Sequence, residues 1–347
     1  MDPTPSAQRL RHGLPGYLQQ FVGVDIAATS FTSVWHPHHA PTTFAQTPDG
    51  FAAFQQHLTA VACPPGTTLV VLEATGSYWV ALAVALHTAG YSVSVVNPKV
   101  IHNYTKTLPR RGKTDALDAH VLRQFAAERQ PPSWTPPPQV YHEVRQRLMA
   151  RDALVEMRQQ ARNQRHALQQ WPVVVEAVLH QFDALEADLS ARVAMLDAEI
   201  VTVLQDSAWS ASAALLQSIP GIGPSTTAWL LVATLNFELC ATVDATVAFA
   251  GLSPLPYESG TSVRGRTPVG RGGHARLRKA LYLATLSAAQ HNPVIKAFYA
   301  RLRANGKPMK VARCAAARKL LHLAWAVVTK RQRFDASYGR GPSTGRS

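Results

Sequence analysis

The run "QPPSWTPPPQ" at residues 130–139 constrains this chain more than any other stretch. Its prolines remove backbone donors and fix φ, so neither a helix nor a central strand can cross it. It predicts a stiff, partly polyproline linker with separate structure on either side. Beyond it, residues 140 to about 206 contain no glycine, and Pro172 is the only proline. Leu148, Leu154, Met157, Leu168, Leu185, Leu189, Val193, Leu196 and Ile200 recur there at helix-compatible intervals, which predicts two long helices. Such helices pack as an antiparallel hairpin or pair with another chain, and periodicity does not separate these outcomes.

Upstream of the linker, "YLQQFVGVDIAATS" carries an apolar run ending at Asp25, followed by "FTSVWH" and "TTFAQT". These read as three short strands in a meander. "DGFAAFQQHLTAVA" has helical spacing, with Phe51, Phe54, Leu58 and Val61 on one face. Strand "TTLVVLEATG", helix "SYWVALAVALHTAG" and strand "YSVSVVNP" come next. "KTDALDAHVLRQFAAER" is then a helix with Thr114 as its N-cap. The order β-β-β-α-β-α-β-α requires parallel neighbours, so residues 20–130 are expected to form an α/β domain on a mixed sheet.

Downstream, "LLQSIPGIGPSTTAWLLVATL" (215–235) is helix, glycine-rich turn and helix, similar to a helix-hairpin-helix whose turn offers N–H groups to phosphate. A structural reading of that turn is equally open. "PYESGTSVRGRTPVGRGGHARLRKALY" (256–282) gathers Ser259, Thr261, Ser262 and Thr267 among five glycines and six basic residues. Three amphipathic basic helices follow, and the Gly/Ser/Arg-rich tail from Phe334 is expected to be disordered. The expected division is an N-terminal tail (1–19), the α/β domain (20–130), the linker (131–139), a helical or coiled-coil region (140–206), a mainly α C-terminal domain (207–333) and the tail (334–347).

The charge distribution points to a partner class. The 347 residues carry 35 Lys and Arg against 21 Asp and Glu, but residues 251–347 alone hold 19 of the former and only Glu258 and Asp335 of the latter. That region is +17 and everything before it −3. Phosphate polyanions are the usual partners of such a surface. No apolar run reaches the roughly 18 residues of a membrane span, and "MDPTPSAQRLRHGLPGYLQQ" has no apolar signal core, so neither membrane nor secretion is expected. Cys63, Cys240 and Cys314 lie far apart without metal-ligand spacing and read as small hydrophobes of a reducing cytoplasm.

Four acids stand in unusual places. Asp25 and Glu73 each end an apolar strand, and Asp115 and Asp118 are spaced i, i+3 on one helix face. Each alone has an ordinary explanation: a turn, a lysine partner, a helix N-terminus that favours acids. Together they predict a carboxylate cluster at the strand ends, which needs a cation to relieve repulsion. Mg²⁺ or Mn²⁺ suits all-oxygen ligands and leaves room for phosphate oxygens. Two such ions could stabilise both the attacking and the leaving oxygen of a phosphoryl displacement.

The arrangement resembles the ribonuclease-H-like fold of Holliday-junction resolvases (RuvC-like). Over residues 20 to 335 the chain resembles a family: the DEDD-type transposases of bacterial insertion sequences, the bridge-RNA-guided recombinases. The shared motifs are "VGVDIA", "LEATGSYW", "VSVVNPK", "KTDALDAHVLRQFA", "SIPGIGPSTTAWLL", "FAGLSPLPYESGTSVRGR", "GHARLRKALY" and "RLRANGKPMKVA". The resemblance implies that Asp25, Glu73, Asp115 and Asp118 ligate metal and that Ser259 is the nucleophile of a transposase domain. It implies cutting and rejoining of DNA through a phosphoserine linkage, in an active site composed from two protomers. It also implies a bridge RNA, a dimer assembling to a tetramer on synaptic DNA, and a bacterial cytoplasmic protein associated with the nucleoid when active.

Without the resemblance, the four hydroxyls are interchangeable. A serine hydroxyl needs a base or a metal to become nucleophilic, and the segment itself offers only Glu258 as a base. Arg264, Arg266, Arg271, Arg276, Arg278 and Lys279 are expected on nucleic-acid backbone. His274 is a candidate proton donor or phosphate contact, and Tyr78, Trp79, Tyr104 and Trp134 are candidates for base stacking or for plain packing. Two alternatives stand beside the recombinase: a structure-specific junction endonuclease using metal-activated water, and a non-catalytic nucleic-acid-binding protein.

Overall fold

A strand that ends in an acid organises the first unit of the chain. The computed structural model describes residues 18–108, 115–254, 258–259, 263–264 and 272–337, with backbone alone at 115–116, 258–259 and 263–264. It divides into two compact units, Met1–Pro136 and Pro137–Ser347. In the first, β1 (Gln20–Ile26), β2 (Ser30–Val34) and β3 (Thr42–Ala45) form the expected meander, followed by α1 (Pro48–Ala60), β4 (Thr68–Glu73), α2 (Trp79–Thr88) and β5 (Ser92–Val96). The sheet order is β3-β2-β1-β4-β5. β1 pairs antiparallel with β2 and parallel with β4, which in turn runs parallel to β5.

Helices cover both faces. Val22, Val24, Val70, Leu72 and Val93 pack with Phe54 and Leu58 of α1 and Leu82 and Leu86 of α2. Leu69, Val71 and Val96 pack on the other side with Val121, Leu122 and Phe125 of α4 (Asp115–Arg129). Burial on both faces is why β4 reads as a continuous apolar run. A short helix that the spacing did not predict, α3 (Pro98–Thr105), follows β5. Asn97 caps it by accepting the Lys99 N–H at 2.9 Å, with Pro98 at its first position. Thr114, the expected cap of α4, lies outside the described residues.

The second unit opens with the two long helices, α5 (Gln139–Leu168) and α6 (Glu176–Gln205), and they pack on each other as an antiparallel hairpin. Arg147–Glu199 (2.9 Å), Arg151–Asp197 (2.5 Å) and Arg165–Asp183 (2.5 Å) join them, as does Arg162–Glu186, so one helix supplies the cations and the other the acids. Val140, Val144 and Leu148 of α5 and Ile200 and Leu204 of α6 are buried in the same core as α7 (Ser210–Gln217), α8 (Pro224–Thr234), α10 (Ala275–His291) and α12 (Met309–Lys330). α8 is apolar all round, and every residue from Thr227 to Thr234 is buried, as suits the helix at the centre of that core. α9 (Val243–Phe249) and α11 (Pro293–Ala304) complete the helices. Thr242 caps α9 by accepting the Ala245 N–H.

Two expectations change. Phe334, placed in the disordered tail, is half-buried against the second core, and its N–H donates to Ser218 Oγ at 2.8 Å. Its ring outweighs the polar composition around it. The 215–235 turn, open between phosphate binding and structure, has a packing reason. Gly221 sits at φ +98°, and a Cβ there would lie 2.4 Å from Ala288 Cβ of α10. Among the described residues no helix is long and apolar enough to cross a membrane.

Candidate active site and serine-bearing segment

Register places the first two acids side by side. Val24 of β1 is the parallel partner of Leu72 of β4, so the next residues, Asp25 and Glu73, stand together at the C-terminal ends of neighbouring strands. Alternation sets their face. Val71, two before Glu73, packs in the core under α4, and Phe21 packs against it, so Gly23 and Asp25 share that face. At Gly23 the helix comes down onto the strand itself. A Cβ there would lie 2.2 Å from Arg123 N and 2.3 Å from Ala119 O, a space that only glycine leaves open. Asp118 immediately precedes Ala119 and is half-buried, so it enters from the helix that covers the face shared by Asp25 and Glu73.

Asp115 begins α4, three residues before Asp118, and its side chain is outside what is described. Thr75 donates its hydroxyl to Glu73 Oε1 at 3.1 Å. The donor chemistry, carboxylates on one sheet face, suits a hard divalent cation. Among the described side chains no three His, Cys, Asp or Glu close around a common point, so these carboxylates do not by themselves form a finished cage. Gly23 went unremarked in the sequence, although an isolated glycine in a strand pattern is a signal of close backbone approach.

Three of the four aromatic candidates of this unit are used in packing. Trp79 and Trp134 meet edge-on, centroids 5.5 Å apart, and the Trp134 backbone N–H donates to Val93 O at 2.6 Å. Tyr104 is buried against Phe125, and its hydroxyl donates to Glu128 Oε2 at 2.7 Å. Tyr78 is exposed.

In the second unit, Ser259 lies in a two-residue strand, β6 (Glu258–Ser259), antiparallel to β7 (Val263–Arg264). Ser259 is opposite Val263 and Glu258 opposite Arg264. Thr261, Ser262, Arg266, Thr267 and Arg271 lie outside the described residues. Of the remaining basic candidates, Arg276 is exposed with its guanidinium 5.7 Å from the Trp229 ring centre, and Lys279 is exposed, 3.8 Å from Glu156. Arg278 is half-buried, and its Nη1 donates to Gly272 O at 2.8 Å, with Ala250 O and Gly251 O at 3.4 and 3.5 Å.

His274 is the N-cap of α10: its Nδ1 accepts the Leu277 N–H at 3.1 Å. Its ring lies near Trp229 and Phe249. Burial first, and then the charge of Arg276, hold its pKa below the usual 6.5. A neutral, capping imidazole is poorly suited to donate a proton to a leaving oxygen.

Comparison with known proteins places both units. Residues 22–170 match a family profile described as "Transposase", and residues 213–300 match one described as "Transposase IS116/IS110/IS902 family". The pilin gene-inverting proteins of Moraxella bovis and Moraxella lacunata are each 30% identical over 321 residues, covering 91% of this chain and 97% of theirs. The insertion element IS110 uncharacterized 43.6 kDa protein of Streptomyces coelicolor is 32% identical over 152 residues, 44% of this chain and 34% of that protein.

Proposed function

The chain belongs to the IS110/IS116/IS902 family of transposases, and from that premise we propose that it cuts and rejoins DNA with Ser259 as nucleophile and Asp25, Glu73, Asp115 and Asp118 as the ligands of Mg²⁺ or Mn²⁺. The observation that carries the proposal is the register pairing Val24 with Leu72, which sets Asp25 beside Glu73 on the face that α4 covers. A bound divalent ion would supply charge stabilisation for phosphate oxygens and lower the pKa of a ligated hydroxyl.

The chain's own residues account for the rest. Ser259 Oγ attacks a DNA phosphorus, the Oγ–P bond forms as a P–O bond of the strand breaks, and the hydroxyl proton passes to a base while the leaving oxygen takes one up. The reverse step, with the hydroxyl of another strand attacking, reseals DNA and frees Ser259. An alcohol nucleophile keeps the phosphodiester bond energy in the covalent intermediate, whereas hydrolysis would lose it. Basic residues of the second unit hold the strand in place. Relatives named for gene inversion and for insertion elements fit a reaction that breaks and rejoins the same strands. Choice of DNA sites by a bridge RNA, and assembly from dimer to tetramer, belong to the same reading.

The test uses cells carrying the gene with its native flanking DNA. Rearranged DNA junctions are expected with the wild type and absent with Asp25→Asn, Asp118→Asn and Ser259→Ala. Persistent cleavage in Ser259→Ala would make the protein a nuclease that uses water. Unchanged activity in both Asp variants would remove the metal chemistry. Sequencing the RNA that copurifies with the protein tests the guide: a structured transcript of the flank supports it, and no bound RNA overturns it.

A further inference from the structure

We infer that Arg278 is a positioning residue that staples the two ends of the Ser259-bearing segment, and that it is not a phosphate contact; its link to catalysis rests on the nucleophile reading above. The chain leaves the second core at the end of α9 and returns to it at the start of α10, and the two ends touch there backbone to backbone. Gly251 (φ +69°) and Gly273 (φ +86°) both occupy the left-handed region that favours glycine. A Cβ on Gly273 would lie 2.5 Å from Gly251 N and 2.8 Å from Phe249 O. A Cβ on Gly251 would lie 2.3 Å from Gly272 O and 2.1 Å from Arg278 Nη1. No side chain fits on either side of this contact.

Hydrogen bonds close it. The His274 N–H donates to Phe249 O at 2.8 Å, across the junction. One turn further along α10, the Arg278 N–H donates to His274 O at 3.0 Å. The Arg278 guanidinium then reaches back, with Nη1 2.8 Å from Gly272 O on the returning end and 3.4 and 3.5 Å from Ala250 O and Gly251 O on the departing end. One cationic donor therefore faces carbonyls from both ends, and hydrogen bonds from charged donors are the stronger kind.

Both anchors are fixed. Leu277 and Leu281 of α10 are fully buried, as are Val247 and Ala250 at the end of α9. The neighbours Arg276 and Lys279 are exposed, one over the Trp229 ring and the other 3.8 Å from Glu156, whereas Arg278 is half-buried and turned to the junction. A staple of this kind fixes where the serine-bearing segment starts and ends, so that binding DNA does not have to order its two ends as well. Lysine at 278 would keep the charge but lose the planar fork that holds a fixed direction.

The experiment uses the full-length protein with Arg278→Gln, Arg278→Lys, Arg276→Gln and Ser259→Ala. Three readouts are taken: the salt dependence of binding to a short fluorescent DNA duplex of arbitrary sequence, hydrogen exchange at the His274 amide, and covalent protein–DNA product from a plasmid bearing the gene and its flanks. Wild-type protein is expected to protect the His274 amide. Arg278→Gln should leave the slope of log K against log [salt] unchanged, whereas Arg276→Gln should lower it by about 0.9 if it meets one phosphate. Both Arg278 variants should speed His274 exchange by about tenfold or more through local opening, and both should lose most of the covalent product. A lowered salt slope in Arg278→Gln, an unprotected His274 amide in the wild type, or covalent product unchanged despite faster exchange would each overturn the inference. Product surviving in Ser259→Ala would instead sink the nucleophile reading, while slope and exchange still decide whether Arg278 is a staple.

Discussion

Gly23 shows how much one hydrogen atom in place of a side chain can decide. Its missing side chain admits the backbone of α4 at Ala119 and Arg123, and with it Asp118. Gly23→Ala should push helix from strand, costing about 1–3 kcal/mol as overpacking does, and should abolish DNA rearrangement; thermal unfolding and the junction assay read the two effects separately. His274 carries the second prediction at this scale. The fold holds its ring neutral, so the unfolded chain binds the proton more readily. The stability it contributes is therefore full above pH 6.5 and lost as the pH falls below it toward the lowered folded value. His274→Asn, which keeps a capping side chain, should flatten the unfolding midpoint between pH 7.5 and pH 5, and an unaltered pH profile would contradict the capping role. Asp25 and Glu73 were legible because an acid ending an apolar strand is conspicuous. Ser259 was not legible from its residues alone: four hydroxyls share one chemical setting, and only the resemblance to a family chose among them. Composition groups Arg278 with Arg276 and Lys279, and only its partial burial separates it from them.

Among the elements, the α5–α6 hairpin is the best test of what holds the second unit together. Its interhelical ion pairs are numerous but all reach solvent, whereas Leu148 is fully buried. Leu148→Ala should cost about 2–5 kcal/mol, while Arg147→Ala should cost at most about 1 kcal/mol; chemical denaturation of the two variants measures both. Comparable losses would mean that the ladder, and not the apolar seam, sustains the hairpin. The two long helices were readable from their lack of glycine, but their pairing was not, since a/d-type spacing serves either partner equally. The pairing is written in a different pattern: Arg147, Arg151, Arg162 and Arg165 on one helix meet Glu199, Asp197, Glu186 and Asp183 in reverse order on the other. The short helices α3 and α9 escaped because eight and seven residues give too little periodicity, although Asn97-Pro98 and Thr242 are their start signals.

At the scale of the whole molecule, acids and net positive charge are separated along the chain. The carboxylates lie in a first unit on an α/β sheet, and the +17 region begins at residue 251 with the segment that carries Ser259. DNA affinity should therefore fall by about 10³–10⁵ between 50 and 200 mM salt if six to ten phosphates are met; a flat response in a filter-binding titration would contradict the role assigned to the basic region. The proline-rich run, read from sequence as a linker over 131–139, spans the boundary between the compact units after Pro136, while Trp134 within it is tied to Val93 and Trp79. The anchoring of that tryptophan is not legible in composition. In the proposed reaction Ser259 becomes covalently bound to DNA with the help of the carboxylates. Mass spectrometry of the denatured, nuclease-trimmed reaction product tests it most directly. The expected product is a nucleotide-bearing peptide with the modification on Ser259 that disappears in Ser259→Ala and in Asp25→Asn; cut DNA with no linked peptide, or a link to Thr261, Ser262 or Thr267, would rule out Ser259 as the nucleophile.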